Sequence, residues 1–201
     1  MSNKLAQTQV PIHELIARRW SGRAFDAKKT LPRTQLLALL EAARWAPSCF
    51  GDEPWRYIVW DRGRDQAAWQ KAFDCLAEGN QIWVRNAPVL MLSSADASFR
   101  NGKPNRWGQH DTGAASENLC LQAASLGLMA HQMGGFDVEK IRHAFAIPER
   151  YMPMAMIAVG YPGPVSVLED EKYREMESAP RRRQPLEQCF FEAAWEKPLA
   201  T

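Results

Sequence analysis

A fold of mixed helices and strands, α+β or α/β, is predicted by three observations on this 201-residue chain. Apolar stretches with helical spacing outnumber those with strand character. The strand-like stretches are separated from one another by helical ones, and no segment repeats. Hydrophobic residues make up 46% of the chain and charged residues 24%, the proportions of a globule rather than of a disordered or collagen-like polymer. One domain of this length buries roughly 70% of the surface its unfolded chain exposes, so it needs no covalent or metal staple.

The elements follow in order. Pro11 to Arg19 reads as a short helix, because proline suits a first turn and Ile12, Leu15 and Ile16 share a face. Ser21-Gly22 ends it. A second helix runs from Pro32 to Trp45 with Leu36, Leu37, Leu39, Leu40 and Ala43 as its apolar stripe, and Pro47 stops it. The loop SCFGDEP leads into Trp55 to Trp60, β-branched and aromatic, hence a strand. Gln66 to Ala77 is an amphipathic helix, and after an irregular stretch Pro88 to Leu92 is a compact apolar strand. Residues 93–109, SSADASFRNGKPNRWGQ, are polar and without period, which predicts a long loop of the kind that often carries function. Asp111 to Leu126 reads as a buried helix; its small residues admit a close neighbour, and Gly127 caps it. Leu128 to Met133 is a strand entering Gly134-Gly135, Asp137 caps a helix reaching Ala146, and Met154 to Val159 is a last apolar strand. The tail is charged from Glu169 to Glu177, then basic at Arg181-Arg182-Arg183, then apolar from Leu186 to Trp195. That last patch has to be covered by its own body or by a second subunit.

Several function classes are excluded. Lys+Arg 25 against Asp+Glu 23 leaves +2, too little for non-specific nucleic-acid binding. Cys49, Cys75, Cys120 and Cys189 are scattered and share no zinc spacing with His13, His110, His131 or His143. The N-terminus lacks a signal-peptide pattern and no run nears the roughly 20 apolar residues of a membrane span, so a reduced cytoplasmic setting is expected. Phosphate-loop, dinucleotide-fingerprint, nucleophile-elbow and HExxH motifs are absent from the sequence. His110-Asp111 reads more simply as a helix-start arrangement than as a general base. Two cationic groups remain: Arg18-Arg19-Trp20-Ser21-Gly22-Arg23, and Arg181 to Arg183. Each alone is a solvated charge run. Together they offer forked donors and a hydroxyl, which suit a phosphomonoester. The eight tryptophans, several beside arginine, are either amphipathic packing or the wall of a site for a large planar ligand.

Six segments, in order, carry a resemblance: RRWSGRAF (18–25), AARWAPSCFGDEPWRY (42–57), NQIWVRNAPVL (80–90), DTGAASENLCLQAASLGL (111–128), MGGFD (133–137) and APRRRQPLEQCFFE (179–192). They are similar to the motifs of the nitroreductase family of flavin enzymes, over nearly the whole chain. The resemblance implies a three-layer α+β fold with a central, mostly antiparallel sheet flanked by helices. It further implies an interlocked homodimer that exchanges its C-terminal arm (179–201), and one FMN-binding domain spanning 1–201. NAD(P)H would reduce FMN, which would pass electrons to a nitroaromatic, quinone or similar flat small-molecule acceptor in a ping-pong cycle. The flavin carries that chemistry, so the protein needs no catalytic nucleophile or metal of its own.

Residue by residue, Arg19, Ser21, Arg181 and Arg183 match phosphate-binding positions, and Trp20 contributes mainly backbone. Arg23 matches a cation at the pyrimidine edge of the ring, and Asn80 a side chain bonding the ring. Pro47, Ser48 and Cys49 match a loop that lies along the flavin from the other subunit. Gly134 and Gly135 match the turn whose N–H lies near flavin N5. Gly51 and Glu53 stand where the family has Asn and Gln. Trp83 replaces a second cation, leaving Arg23 as the one positive charge at that edge. Alternatives are a flavin-dependent dehydrogenase or dehalogenase for a dedicated metabolite, under the 93–109 loop, and a flavin-binding protein without turnover.

Overall fold

A computed structural model describes residues 4–199. The first helix, α1 (Glu14–Arg18), starts later than expected because the His13 side chain, not Pro11, caps it by accepting from the Leu15 N–H at 3.2 Å. α2 (Arg33–Arg44) and strand β1 (Trp55–Asp61) lie where the apolar stripe and the β-branched run predict. α3 (Gln66–Phe73) is followed by α4 (Glu78–Val84), a helix in the stretch expected to be irregular. Its apolar residues Trp83 and Val84 are both buried, so packing rather than propensity makes it. Strand β2 (Val89–Asp96), helix α5 (Gly108–Ser125), strand β3 (Met129–Met133), helix α6 (Val138–Ala144) and strand β4 (Tyr151–Gly160) complete the body. The Asp137 carboxylate caps α6 on the Lys140 N–H at 2.9 Å, and Gly127 takes φ +70 after α5, both as anticipated. α7 (Glu171–Ser178) and α8 (Leu186–Cys189) form the tail.

The sheet is four-stranded and wholly antiparallel, in the order β1-β2-β4-β3. Its two faces bury separate cores. Leu90 and Leu92 face Trp69, Trp83 and Ile141, while Val89 and Met91 face Leu36, Leu39, Leu119 and Ala123. Alternation along β2 therefore fixes a three-layer α+β architecture, with α3, α4 and α6 on one side and α2 and α5 on the other.

The polar stretch read as a loop from 93 to 109 is shorter, spanning 97–107. Ser93, Ser94 and Asp96 belong to a fully buried strand. Ser93 Oγ donates to the Ala155 carbonyl at 3.2 Å, and Asp96 pairs with Arg150, so these two polar side chains are satisfied inside. At the other end, α5 starts at Gly108, where a Cβ would lie 2.4 Å from the Asp96 carbonyl oxygen. β4 also begins earlier than predicted, passing through Pro153 where the β2 register shifts between Ser93 and Ser94, a bulge that accommodates the missing N–H.

The two ends of the chain meet. Arg181 Nη1 donates to the carbonyls of Lys4 (2.8 Å) and Ala17 (2.7 Å), and the Leu186 N–H donates to Gln9 at 3.0 Å. Beyond α8 the tail folds back on itself, with Phe191 bridged to Pro198 and its ring 5.2 Å from Trp195. Phe190 and Trp195 remain 57% and 82% exposed.

Candidate functional site

Arg19 follows α1, and Arg181, Arg182 and Arg183 follow α7; all four guanidinium-bearing residues line one hollow of about 780 Å³. Its remaining walls come from residues 6–10, Ile12, Ile16 and 184–186. A hollow of that size is in the range of small-molecule sites. Burial, and after it the nearby charges of Arg19 and Arg183, pull the Arg181 guanidinium below its ordinary value. The one carboxylate in the wall is Glu117 on α5, 3.3 Å from Arg19 Nε and half exposed. Like charges held together in a partly desolvated space favour an anion there. Arg19 also donates to Ser21 Oγ at 3.4 Å, which joins the hydroxyl to the cluster. Arg181 has Nη1 committed to the two carbonyls that tie the chain ends, so part of its fork is structural.

From Ser21 the chain turns inward. Three consecutive residues are gripped by side chains from elsewhere. His131 on β3 donates from Nδ1 to the Gly22 carbonyl at 2.9 Å; a carbonyl only accepts, so the ring carries its proton there. The Glu177 carboxylate accepts from the Arg23 N–H (2.9 and 3.1 Å) and from the Ala24 N–H (3.2 Å). Burial is the chief cause that lowers the His131 pKa to about 4; the Gly22 bond opposes it, and the Arg23 and Arg19 charges add to it. The imidazole is therefore neutral near pH 7. Gly22 is obligatory for space: a Cβ would lie 2.2 Å from Met129 Sδ and 2.9 Å from the Trp20 ring. Trp20 itself packs on the core, and Lys4 Nζ lies 4.8 Å over its ring.

Arg23 sends its guanidinium over Trp83 (5.7 Å) and Tyr173 (5.9 Å). The Tyr173 hydroxyl donates to the Gly79 carbonyl at 2.6 Å, tying α7 to α4. On α4, Asn80 Nδ2 donates to the Gly135 carbonyl at 2.9 Å and occupies the space a Gly135 Cβ would need, 2.7 Å away. The Ala77 N–H donates to the same carbonyl at 3.0 Å, so the turn after β3 is held by two bonds while Gly134 stays open to solvent. Arg23, Trp83, Asn80 and Gly135 are thus linked by contact, Arg23 lying over the buried Trp83 ring and Asn80 bonded to Gly135, but neither they nor Ser21 and Gly134 are among the residues lining the arginine hollow.

The structure does not bring Pro47, Ser48 and Cys49 to the hollow of their own chain. Ser48 Oγ accepts from the Glu53 N–H at 3.0 Å, and the Cys49 N–H donates to Asp111 at 3.0 Å. Asp111 lies in the first turn of α5, as the helix-start reading has it, and is buried and also pins this loop. Phe50, Gly51 and Glu53 all take positive φ (56°, 63° and 51°), so the loop is sharply folded and leaves the Phe50 ring 94% exposed.

Sequence reasoning missed Glu177, His131, Tyr173 and Lys4, and it missed the hold of Asp111 on the Cys49 loop. Glu177 sits in a charged run that reads as a solvated face, and a lone histidine in a strand gives no signal of a backbone partner 109 residues away. Among the described residues no His, Cys, Asp and Glu side chains cluster as a metal site, and no helix is long and apolar enough to cross a membrane.

Comparison with known proteins gives a consistent picture. The nitroreductase family profile matches residues 16–83 and 64–161. An uncharacterized 15.4 kDa protein of Mycolicibacterium smegmatis is 37% identical over 150 residues, 72% of this chain and 99% of that protein. A Methanothermobacter thermautotrophicus protein, provisionally named NADH dehydrogenase/NAD(P)H nitroreductase, is 33% identical over 159 residues, 77% of this chain and 79% of its own length. A crystal structure described as an oxidoreductase containing FMN superposes with a TM-score of 0.89 at 35% identity, covering 97% of this chain and 98% of that one.

Proposed function

As the chain belongs to the nitroreductase family, we propose that it is an FMN-dependent NAD(P)H oxidoreductase. The observation that carries this reading is the convergence of Arg19, Arg181 and Arg183 on one hollow with Ser21 bonded to the cluster. Forked, charge-assisted donors of that kind suit a phosphate dianion, and the donor set therefore fits FMN. When bound, FMN supplies the chemistry: it takes a hydride from NAD(P)H and gives electrons to the acceptor. This chain's residues bind and orient it. Arg19 and Arg183 hold the phosphate, Arg181 holds the two chain ends around it, and Arg23 sets a positive charge at one edge of the ring. Asn80 would bond the ring with its side chain, and the Gly134-Gly135 turn would present its backbone to it. A positive charge near Arg23 favours the negative charge that reduction brings, so that residue contributes to potential as well as affinity.

The site is completed, in this reading, by a second protomer whose Pro47–Cys49 loop lies along the ring and whose C-terminal arm is exchanged. The exposed Phe190 and Trp195 of the tail, and the exposed small face of α5 at Gly113, support it. The acceptors are nitroaromatics, quinones or similar flat molecules, reduced in a ping-pong cycle. One feature favours a second reading, a dedicated metabolite. The 97–107 loop is docked rather than open, with the Arg100 N–H on Asp52 at 3.0 Å and Phe99 edge-on to Phe50 at 6.0 Å.

The visible spectrum of the purified protein tests the leading reading, followed by NAD(P)H addition under argon. A bound flavin that bleaches with NAD(P)H, in a species sedimenting as a dimer, is expected. A colourless protein that takes up no FMN in excess refutes it. Comparable turnover of unrelated nitro and quinone compounds would set the dedicated-metabolite reading aside.

A further inference from the structure

Resting on the flavin reading above, we propose that Glu177 is a positioning residue of the site, acting through Arg23. Its carboxylate is 3% exposed at the end of α7, and carboxylates are rarely buried unless something satisfies them. What satisfies this one is the backbone of the Arg23 segment, whose Arg23 and Ala24 N–H groups donate to it. The same helix supplies a second constraint. Tyr173 lies four residues before Glu177, on the same face of α7, and its ring flanks the Arg23 guanidinium. Tyr173 in turn is tied to Gly79, next to Asn80 on the ring-binding wall. One helical face therefore grips the backbone of Arg23, flanks its side chain and fixes its distance from α4. His131 closes the grip from the opposite direction at the Gly22 carbonyl.

The carboxylate's own field at the ring is offset by the N–H groups it accepts from and by Lys4, whose ammonium interacts with it. Its influence on the flavin then runs through where it holds Arg23.

The test uses the full-length holoprotein, with flavin affinity and midpoint potential as readouts. Glu177→Gln is expected to weaken FMN and riboflavin alike, on the order of tenfold, because Arg23 serves the ring and not the phosphate. The bound flavin's potential is expected to fall by about 30 mV, the two-electron equivalent of a tenfold preference lost by the reduced form. In an Arg23→Gln background the same substitution is expected to change neither quantity. A rise in potential, no shift, or an equal shift in both backgrounds overturns the proposal. If Glu177→Gln does not fold, Glu177→Asp, which keeps the charge and shortens the reach, is expected to give the same pattern at smaller size; an unshifted Asp variant overturns it equally. Wild-type protein without flavin uptake defeats the flavin reading itself. Flavin-loaded wild type with the wrong pattern in the variants defeats only this inference.

Discussion

Replacing Arg19 with alanine separates recognition of a phosphate from recognition of a ring. The Arg19 side chain is 18% exposed, so its donors act in a partly desolvated wall. A charge-assisted hydrogen bond in such a place contributes about 1.5–3 kcal/mol, and each 1.4 kcal/mol is about tenfold in affinity. Arg19→Ala is therefore expected to weaken FMN about ten- to a hundredfold, with binding surviving because Arg181 and Arg183 remain. Riboflavin, which has no phosphate, is expected to bind as before. Fold stability changes little, since the partner lost is Glu117, 48% exposed, and such pairs contribute about 0–1 kcal/mol. The same pair makes an opposite expectation: Glu117→Gln frees the Arg19 fork and tightens FMN, by at most about fivefold if the pair carries about 1 kcal/mol. Titration of flavin-free protein, followed by quenching of flavin fluorescence, measures each of these affinities. Equal losses for FMN and riboflavin in Arg19→Ala, or an unweakened FMN, would refute the phosphate assignment.

Two further outcomes follow from the grip on residues 22–24. Gly22→Ala places a methyl 2.2 Å from Met129 Sδ, and overpacking of a buried site costs about 1–3 kcal/mol. Thermal unfolding of the flavin-free protein should show a midpoint lower by roughly 2–4 °C per kcal/mol, and an unchanged midpoint means Met129 swings aside freely. His131, with a folded pKa lowered to about 4 from the 6.5 of an ordinary imidazole, makes the unfolded state the better proton binder between those values. Its contribution is then complete above pH 6.5 and is lost as pH falls toward 4, a difference of order 3 kcal/mol. Urea unfolding at pH 4.5 and 7 should show a smaller pH dependence in His131→Gln than in the wild type; equal dependence means the ring titrates normally.

The architecture was legible wherever packing follows a simple period. The apolar run of β2 is buried throughout, and so are Leu36, Leu39 and Ala43 of the α2 stripe, whereas Leu37, read into the same stripe, is 48% exposed. Legibility failed where a polar residue is buried with a distant partner. Ser93 and Asp96 read as loop because their partners, the Ala155 carbonyl and Arg150, lie on β4 or just before it, more than fifty residues on. The same holds at the site. Arg19, Arg181 and Arg183 announce themselves as cations, and the hollow they line agrees with that reading. Glu177 and His131, which hold the backbone between Gly22 and Ala24, look like surface charge and core filler respectively. Nothing in one sequence links positions 109 or 154 residues apart. Local chemistry is readable; the supports that aim it are tertiary.

The failure of Pro47–Cys49 to reach the hollow of its own chain has a geometric cause on α5. Asp111, which holds the Cys49 N–H, and Glu117, which pairs with Arg19, are six residues apart on one helix. At 1.5 Å and 100° per residue they stand about 9 Å apart along the axis and about 120° around it, so loop and arginines attach to different sides of the same rod. No rotamer change closes that gap. The proposed dimer accounts for it: a two-fold axis across α5 would reverse the helix and carry the partner's Asp111 end toward this chain's Glu117. The residues that would face each other there include Gly113, exposed and with nothing within 4 Å of where its Cβ would be. A small residue on the open side of a helix whose other side is fully packed contributes nothing to the core of one chain. In the proposed dimer it would leave room for another helix, and the division of the site between loop and hollow is what would make that room useful.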